Sequence, residues 1–139
     1  LHSIKKNIKV KSLTENLGKI RTFLSGVADE AGFDKKKIEE IVLAADEACT
    51  NIIKHAYEFD PTKEIEISAE FENKELTITI KDTGKKFKPQ SLEPPDLEAK
   101  LKKRKSGGLG VHLIKTLMDK VEYDFSNPDF NILKLVKKL

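Results

Sequence analysis

The stretch 64–82 constrains the fold more than any other part of this chain, because it alternates apolar and polar residues with period two in two successive runs. In Glu64–Glu72, Ile65, Ile67, Ala69 and Phe71 point one way, and Glu64, Glu66, Ser68 and Glu70 point the other. In Glu75–Asp82, Leu76, Ile78 and Ile80 share a face opposite Thr77, Thr79 and Lys81. Successive strand residues face opposite sides, so the pattern predicts a hairpin with one covered and one wet face, turning tightly at Asn73-Lys74. The same parity puts Asp82 on the covered face. An unpaired buried carboxylate is costly, so Asp82 needs a partner there, and a ligand amino group is one.

The flanking segments read as helices and further strands. Residues 4–12 form a first strand anchored by Ile4, Ile8 and Val10. Thr14 or Glu15 opens a helix carrying Leu17, Ile20, Phe23, Leu24, Val27 and Ala28, with Gly32 as its C-cap. Asp34 caps a second helix that runs to about Tyr57, where Asp60-Pro61 ends the segment. Its apolar stripe is Ile38, Ile41, Val42, Ala45, Cys49, Ile52, Ile53 and Ala56, which places Glu47, Asn51, Lys54 and Glu58 on the far side. Residues 83–107 lack a sustained pattern beyond a short helix over 96–104, and a loop of that length is usually functional or mobile. A helix with Val111, Leu113, Ile114, Leu117 and Met118 follows, then strands at 120–126 and 130–137 around Asn127-Pro128-Asp129. No repeat or linker divides the chain. The expectation is one α/β domain over 1–139, an α+β two-layer sandwich with helices on one face of a mixed, mostly antiparallel sheet.

Composition narrows the class. With 139 residues, 38% hydrophobic and 35% charged, the chain supports one core under a charged surface. No apolar run approaches the ~20 residues of a membrane span, and no signal peptide is visible. Cys49 is the single cysteine, which excludes an internal disulfide, points to a reducing cytoplasm and suits a packing role. The net charge of +3 does not imply nucleic acid. The basic run Lys100, Lys102, Lys103, Arg104 and Lys105 has no interleaved aromatic residues; it is either a solvated loop or part of an anion site, since glycines and a helix start follow it.

Two groups of residues carry chemistry. Gly107, Gly108 and Gly110 precede a helix, where free N–H groups and the helix dipole favour anions and glycine admits a phosphate close to the backbone. The segment lacks the Gly-Lys-Ser/Thr of a Walker loop, and Leu113 stands where a Rossmann fingerprint wants a third small residue. Glu47 and Asn51 are four residues apart, on one helical face, with His55 a further turn along. Taken alone, they are residues of a solvated face. A zinc site fails because His55 has no second His or Cys at ligand spacing, and no serine sits in a Gly-flanked elbow. His2 and His112 read as surface residues.

The combination resembles a known family. A helix with Glu-Ala-x-x-Asn-x-x-x-His, Asp-x-Gly at a strand end, a long loop, and Gly-Gly-Leu-Gly opening a helix is similar to the GHKL ATPase superfamily, which includes gyrase, Hsp90, histidine kinases and MutL. Within it, 44–51, 107–111 and 116–119 resemble the bacterial anti-sigma factor serine/threonine kinases of the RsbW/SpoIIAB type. The resemblance implies that Asn51 binds Mg²⁺ bridging the phosphates of ATP, and that Glu47 is the general base toward a serine hydroxyl. It implies that Asp82 accepts the adenine amino group, that Gly84 lets the backbone approach the base, and that His55, Lys105, Gly107, Gly108, Leu109 and Gly110 belong to the ATP site, with 83–107 as a lid. Arg104 is an alternative to Lys105 near the γ-phosphate. Lys86 stands where fuller motifs carry a second glycine, which predicts a stiffer lid hinge.

The implied function is an ATP-dependent kinase in a partner-switching system, binding a sigma factor and phosphorylating a STAS anti-anti-sigma protein. A homodimer is expected, with Arg21 and Thr50 at partner-contact positions and no nucleic acid or membrane partner. The alternatives are a non-catalytic module holding a sigma factor or another regulator, and a switch kinase acting on a phosphatase-regulating scaffold. Glu47 discriminates against the first, since a module without chemistry has no need of a carboxylate beside Asn51.

Overall fold

The computed structural model describes residues 2–86 and 108–139, with the backbone alone for 108–110. The short helix expected at 96–104, the lid beyond residue 86, and Arg104, Lys105 and Gly107 lie outside the described residues.

Five strands form one sheet: β1 (Ile4–Lys11), β2 (Glu64–Glu72), β3 (Glu75–Asp82), β4 (Lys120–Asp124) and β5 (Asn131–Lys138), in the order β1-β2-β3-β5-β4. All four pairings are antiparallel, so among the described residues the sheet has no parallel pair, where a mixed sheet was expected. The hairpin turns at Asn73 and Lys74, with φ of 52° and 63°. Both residues are left-handed, as a two-residue type I′ turn requires. Its alternation is realised: Ile65, Ile67, Ala69, Leu76, Ile78 and Ile80 are each fully buried.

Three helices cover that apolar face. A single 3-10 turn (Thr14–Asn16) leads into α1 (Leu17–Ala31), which buries Ile20, Leu24, Val27, Ala28 and Ala31. Gly32, at φ 97°, ends it in the left-handed conformation that glycine adopts without a Cβ penalty. Helix α2 (Lys35–Asn51) is capped by Asp34, whose carboxylate accepts the Lys37 N–H at 2.8 Å. Helix α3 (Gly108–Leu117) packs on α2 and buries Val111 and Ile114. Lys137 caps its far end: the ammonium donates to the Leu117 carbonyl and lies 3.3 Å from Glu40 Oε1.

Helix α2 does not run on regularly to Tyr57. Residues Ile52–Ala56 form a π-helical turn, closed by the Tyr57 N–H on the Ile52 carbonyl at 2.9 Å. Glu58 and Phe59 follow with φ of 48° and 63°. The widened turn leaves the Ala56 carbonyl to accept the Lys85 N–H at 2.7 Å, so the end of this helix docks on the turn after β3. Tyr57 fastens the same junction: its hydroxyl accepts the Thr83 N–H at 2.9 Å and donates to the Glu64 carbonyl.

Candidate functional site

Asp82 is the last residue of β3, in phase with Ile78 and Ile80, and it is buried as the alternation predicts. Its register partner in β5 is Asn131, also buried, whose Nδ2 donates to Asp82 Oδ1 at 2.8 Å. The Gly84 N–H donates to the same oxygen at 2.9 Å. Among the described residues no donor reaches Oδ2. Burial pushes the Asp82 carboxyl above its ordinary value, opposed by the Asn131 and Gly84 hydrogen bonds and by the Lys86 charge. The group is therefore a desolvated acceptor with one oxygen held and one open, a geometry that suits a ligand N–H donor.

Asn51 faces Asp82 across a narrow crevice lined by Ala48, Ile52, Tyr123, Phe125 and Asn131. This corrects its placement on a solvated face, for Asn51 is only 5% exposed. On a helix, positions four apart are offset by ~40°, and that offset turns Asn51 inward from Glu47. Tyr123, Phe125 and Asn131, from β4, β5 and the turn between them, stand opposite it, which the pattern of α2 by itself does not disclose. Asn51 Nδ2 is buried with no hydrogen-bond partner among the described residues. A buried amide left unsatisfied costs stability, which fits a side chain kept for a ligand. Glu47, one turn back, is half-buried. His55 lies half-buried in the π-helical turn.

The crevice has room for about one water molecule, about 10 Å³. Its outer wall is the stacked pair Tyr123 and Phe125, ring centroids 5.7 Å apart, on and just after the edge strand β4. Burial pushes the Tyr123 hydroxyl up to about 12. Among the described residues β4 is an edge strand, paired with β5 alone.

Gly84 is tightly constrained, and by a neighbour the sequence did not suggest. A Cβ there would lie 2.5 Å from the Ala56 carbonyl oxygen and 2.7 Å from its carbon. The close approach that demands glycine in this structure is to the end of the α2 segment. Lys86 is tied down: its ammonium donates to the Asn127 carbonyl at 2.6 Å, the Phe130 carbonyl at 3.2 Å and Asn131 Oδ1 at 2.7 Å. Gly108, Leu109 and Gly110 form the first turn of α3. Among the described residues no three His, Cys, Asp or Glu side chains converge on a metal position, so a cation here would take most ligands from elsewhere.

The remaining predicted positions lie outside the crevice. Arg21 on α1 donates to Asp46 Oδ1 on α2 at 2.6 Å, at one side of a groove between the two helices. Thr50, one turn beyond Asp46, is half-buried. His2 is exposed and His112 half-buried. Cys49 is fully buried, and burial raises its thiol, which leaves it a packing residue. Sequence reasoning missed Asn131, Tyr57 and Tyr123. A signal for Asn131 was present: it precedes the alternating run of β5 at a position where an apolar residue would continue the pattern.

A strand-end aspartate facing a helix asparagine, with a glycine-led helix behind, is the arrangement of a nucleotide-binding ATPase domain, and the sequence model of the histidine kinase-like ATPase domain matches residues 10–137. The serine-protein kinase RsbW of Bacillus subtilis (strain 168) is 37% identical over 118 residues, covering 82% of this chain and 74% of the relative. RsbW of Oceanobacillus iheyensis is 33% identical over 135 residues, covering 94% and 84%. The solved RsbU and RsbW domains of a Mycobacterium tuberculosis protein superpose with a TM-score of 0.71 at 17% identity, over 98% of this chain and 32% of that one. The chain belongs to the histidine kinase-like ATPase domains and, among them, to the RsbW serine-protein kinases.

Proposed function

We propose that this chain is an ATP-dependent serine kinase and anti-sigma factor of a partner-switching system, binding a sigma factor and phosphorylating a serine of a STAS anti-anti-sigma protein. The observation that carries the reading is the convergence of Asn51 and Asp82 on one crevice, with Glu47 a single turn from Asn51. Asp82 Oδ2 receives the adenine amino group. The Asn51 amide oxygen would help to hold Mg²⁺, an ion suited to hard oxygen ligands. The unpartnered Nδ2 would be left to donate to an acceptor atom of the bound nucleotide. When bound, Mg-ATP supplies the phosphoryl group and offsets its charge.

Glu47 would take the proton of the serine hydroxyl as the serine oxygen bonded to the γ-phosphorus and the bond from that phosphorus to the bridging oxygen broke, with ADP as the leaving group. Phosphoryl transfer depends mainly on positioning and charge stabilisation, so an ordinary carboxylate suffices as the base. The N–H groups of Gly108–Gly110, with Gly107, Lys105 and the rest of a lid over 83–107, receive the phosphates, as anions favour a helix N-terminus. His55, half-buried in the π-helical turn one turn beyond Asn51, belongs to the ATP site in this reading. The groove between α1 and α2, about 770 Å³ with Arg21, Leu43 and Asp46 in its lining, supports a protein contact at Arg21, and Leu43 is 42% exposed; Thr50, outside that lining, is the second contact position in this reading. The kinase acts as a cytoplasmic homodimer in this reading.

The test is incubation with Mg-ATP and candidate STAS proteins, followed by detection of phosphoserine. Glu47→Gln is expected to abolish transfer while ATP still binds; transfer at the wild-type rate would remove Glu47 as the base. Asn51→Ala is expected to weaken Mg-ATP binding without lowering thermal stability, because the amide removed has an unsatisfied N–H. Unchanged nucleotide affinity by calorimetry would count against the metal role.

A further inference from the structure

We propose that Lys86 and Asn131 form a positioning pair that fixes the orientation of the Asp82 carboxylate and so sets the preference of the site for a 6-amino over a 6-oxo purine. The proposal rests on the reading of Asp82 as acceptor for the base.

Lys86 stands at the position where a second glycine was expected, and its side chain is engaged. An ammonium has three N–H donors, and the Asn127 carbonyl, the Phe130 carbonyl and Asn131 Oδ1 take all three. The cation therefore dictates which end of the Asn131 amide faces it. Oδ1 points to Lys86, and Nδ2 points the other way, donating to Asp82 Oδ1 at 2.8 Å and the Gly84 carbonyl at 3.1 Å. The reversed amide would set its oxygen against the carboxylate and its N–H groups against the ammonium, two repulsive contacts. Asn131 is 2% exposed and Asp82 5%, so water cannot relieve the contact between amide oxygen and carboxylate, although the Lys86 ammonium itself lies at the surface.

The fixed amide in turn fixes the carboxylate. Asp82 Oδ1 is taken by Asn131 and by the Gly84 N–H at 2.9 Å, and Oδ2 is left to the crevice. An ionised carboxylate in this pose accepts a hydrogen bond and cannot donate one, which suits an amino group and opposes a carbonyl. The Lys86 charge also works against the cost of burying the anion. Without the ammonium the amide loses its preferred sense, and the carboxylate is free to rotate or to take up a proton and donate.

The experiment is calorimetric titration of the full chain with ATP and, separately, ITP (whose base has a 6-oxo group), both with Mg²⁺. Wild type is expected to prefer ATP. Lys86→Met keeps the stem and removes the charge; it is expected to weaken ATP about tenfold, as for one hydrogen bond to a charged group, and to bring the ATP-to-ITP ratio towards one. Asn131→Leu is expected to act in the same direction. A parallel loss for both nucleotides at constant ratio would reduce the pair to a structural tether and overturn the proposal, as would unchanged affinities. Should Lys86→Met fail to fold, Lys86→Gln, which keeps N–H donors without charge, carries the same comparison. If wild type bound both nucleotides without preference, the role of Asp82 itself would fall, an outcome separate from a wild-type preference that the variants retain.

Discussion

Asp82 and Asn131, 49 positions apart in the chain, lie opposite each other on β3 and β5 and share a buried hydrogen bond of 2.8 Å. That bond answers the problem posed by a carboxylate at the covered end of an apolar strand, but only in part. The neutral amide holds one oxygen, and burial still raises the carboxyl above its ordinary value.

Asp82→Asn follows from that imbalance. The raised value means the folded state takes up a proton more readily than the unfolded chain, so ionised Asp82 costs stability at neutral pH. The cost is relieved as the pH falls through the folded-state value towards the ordinary 3.8. Asparagine can accept the same two hydrogen bonds without a charge. We expect a higher unfolding midpoint at pH 7, a weaker pH dependence just above 3.8, and loss of ATP binding. Thermal melts across pH with nucleotide titration check this; a lower midpoint at pH 7 would contradict it.

Gly84→Ala tests the docking of the turn after β3 on the end of the α2 segment. The added Cβ meets the Ala56 backbone at 2.5 Å, and a backbone atom cannot step aside as a side-chain tip can. Overpacking of this kind costs about 1–3 kcal/mol. A fall of several degrees in the melting midpoint is expected, with weaker ATP binding because Asp82 is two residues away. A variant as stable as wild type would show that the contact is slack.

Lys74→Gly should stabilise the protein. Both hairpin residues are left-handed, and an ordinary side chain pays about 1–2 kcal/mol there, against about 0.5–1 kcal/mol for the extra freedom glycine brings to the unfolded chain. The net gain expected is about 0–1.5 kcal/mol, read as a small rise in the denaturation midpoint at unchanged slope. A drop would mean that the lysine stem contributes packing.

Arg21→Ala separates partner contact from stability. The Arg21–Asp46 ion pair is 2.6 Å long but only partly buried, and such pairs are worth about 0–1 kcal/mol. Chemical denaturation should therefore change little, while capture of a sigma factor or STAS partner should fall. Equal capture by the variant would move the contact away from this groove.

Local patterns determined much of this protein from sequence alone. The period-two runs fixed both strands of the β2–β3 hairpin and the inward parity of Asp82, because side-chain direction in a strand depends only on position. Asp34 and Gly32 marked helix ends because capping is satisfied by residues within one turn. The tertiary structure decided what depends on partners distant in sequence. Asn51 is buried where Tyr123, Phe125 and Asn131 face it across the crevice, and no periodicity within α2 carries that information. Gly84 is needed because the π-helical turn brings the Ala56 carbonyl to it. Asn131 meets Asp82 through the register of β5 on β3, and Lys86 reaches Asn131 because the β4–β5 turn folds back over the end of β3. A strand's own residues specify which way a carboxylate points; which groups hold it there is specified by the pairing of strands and the packing of helices.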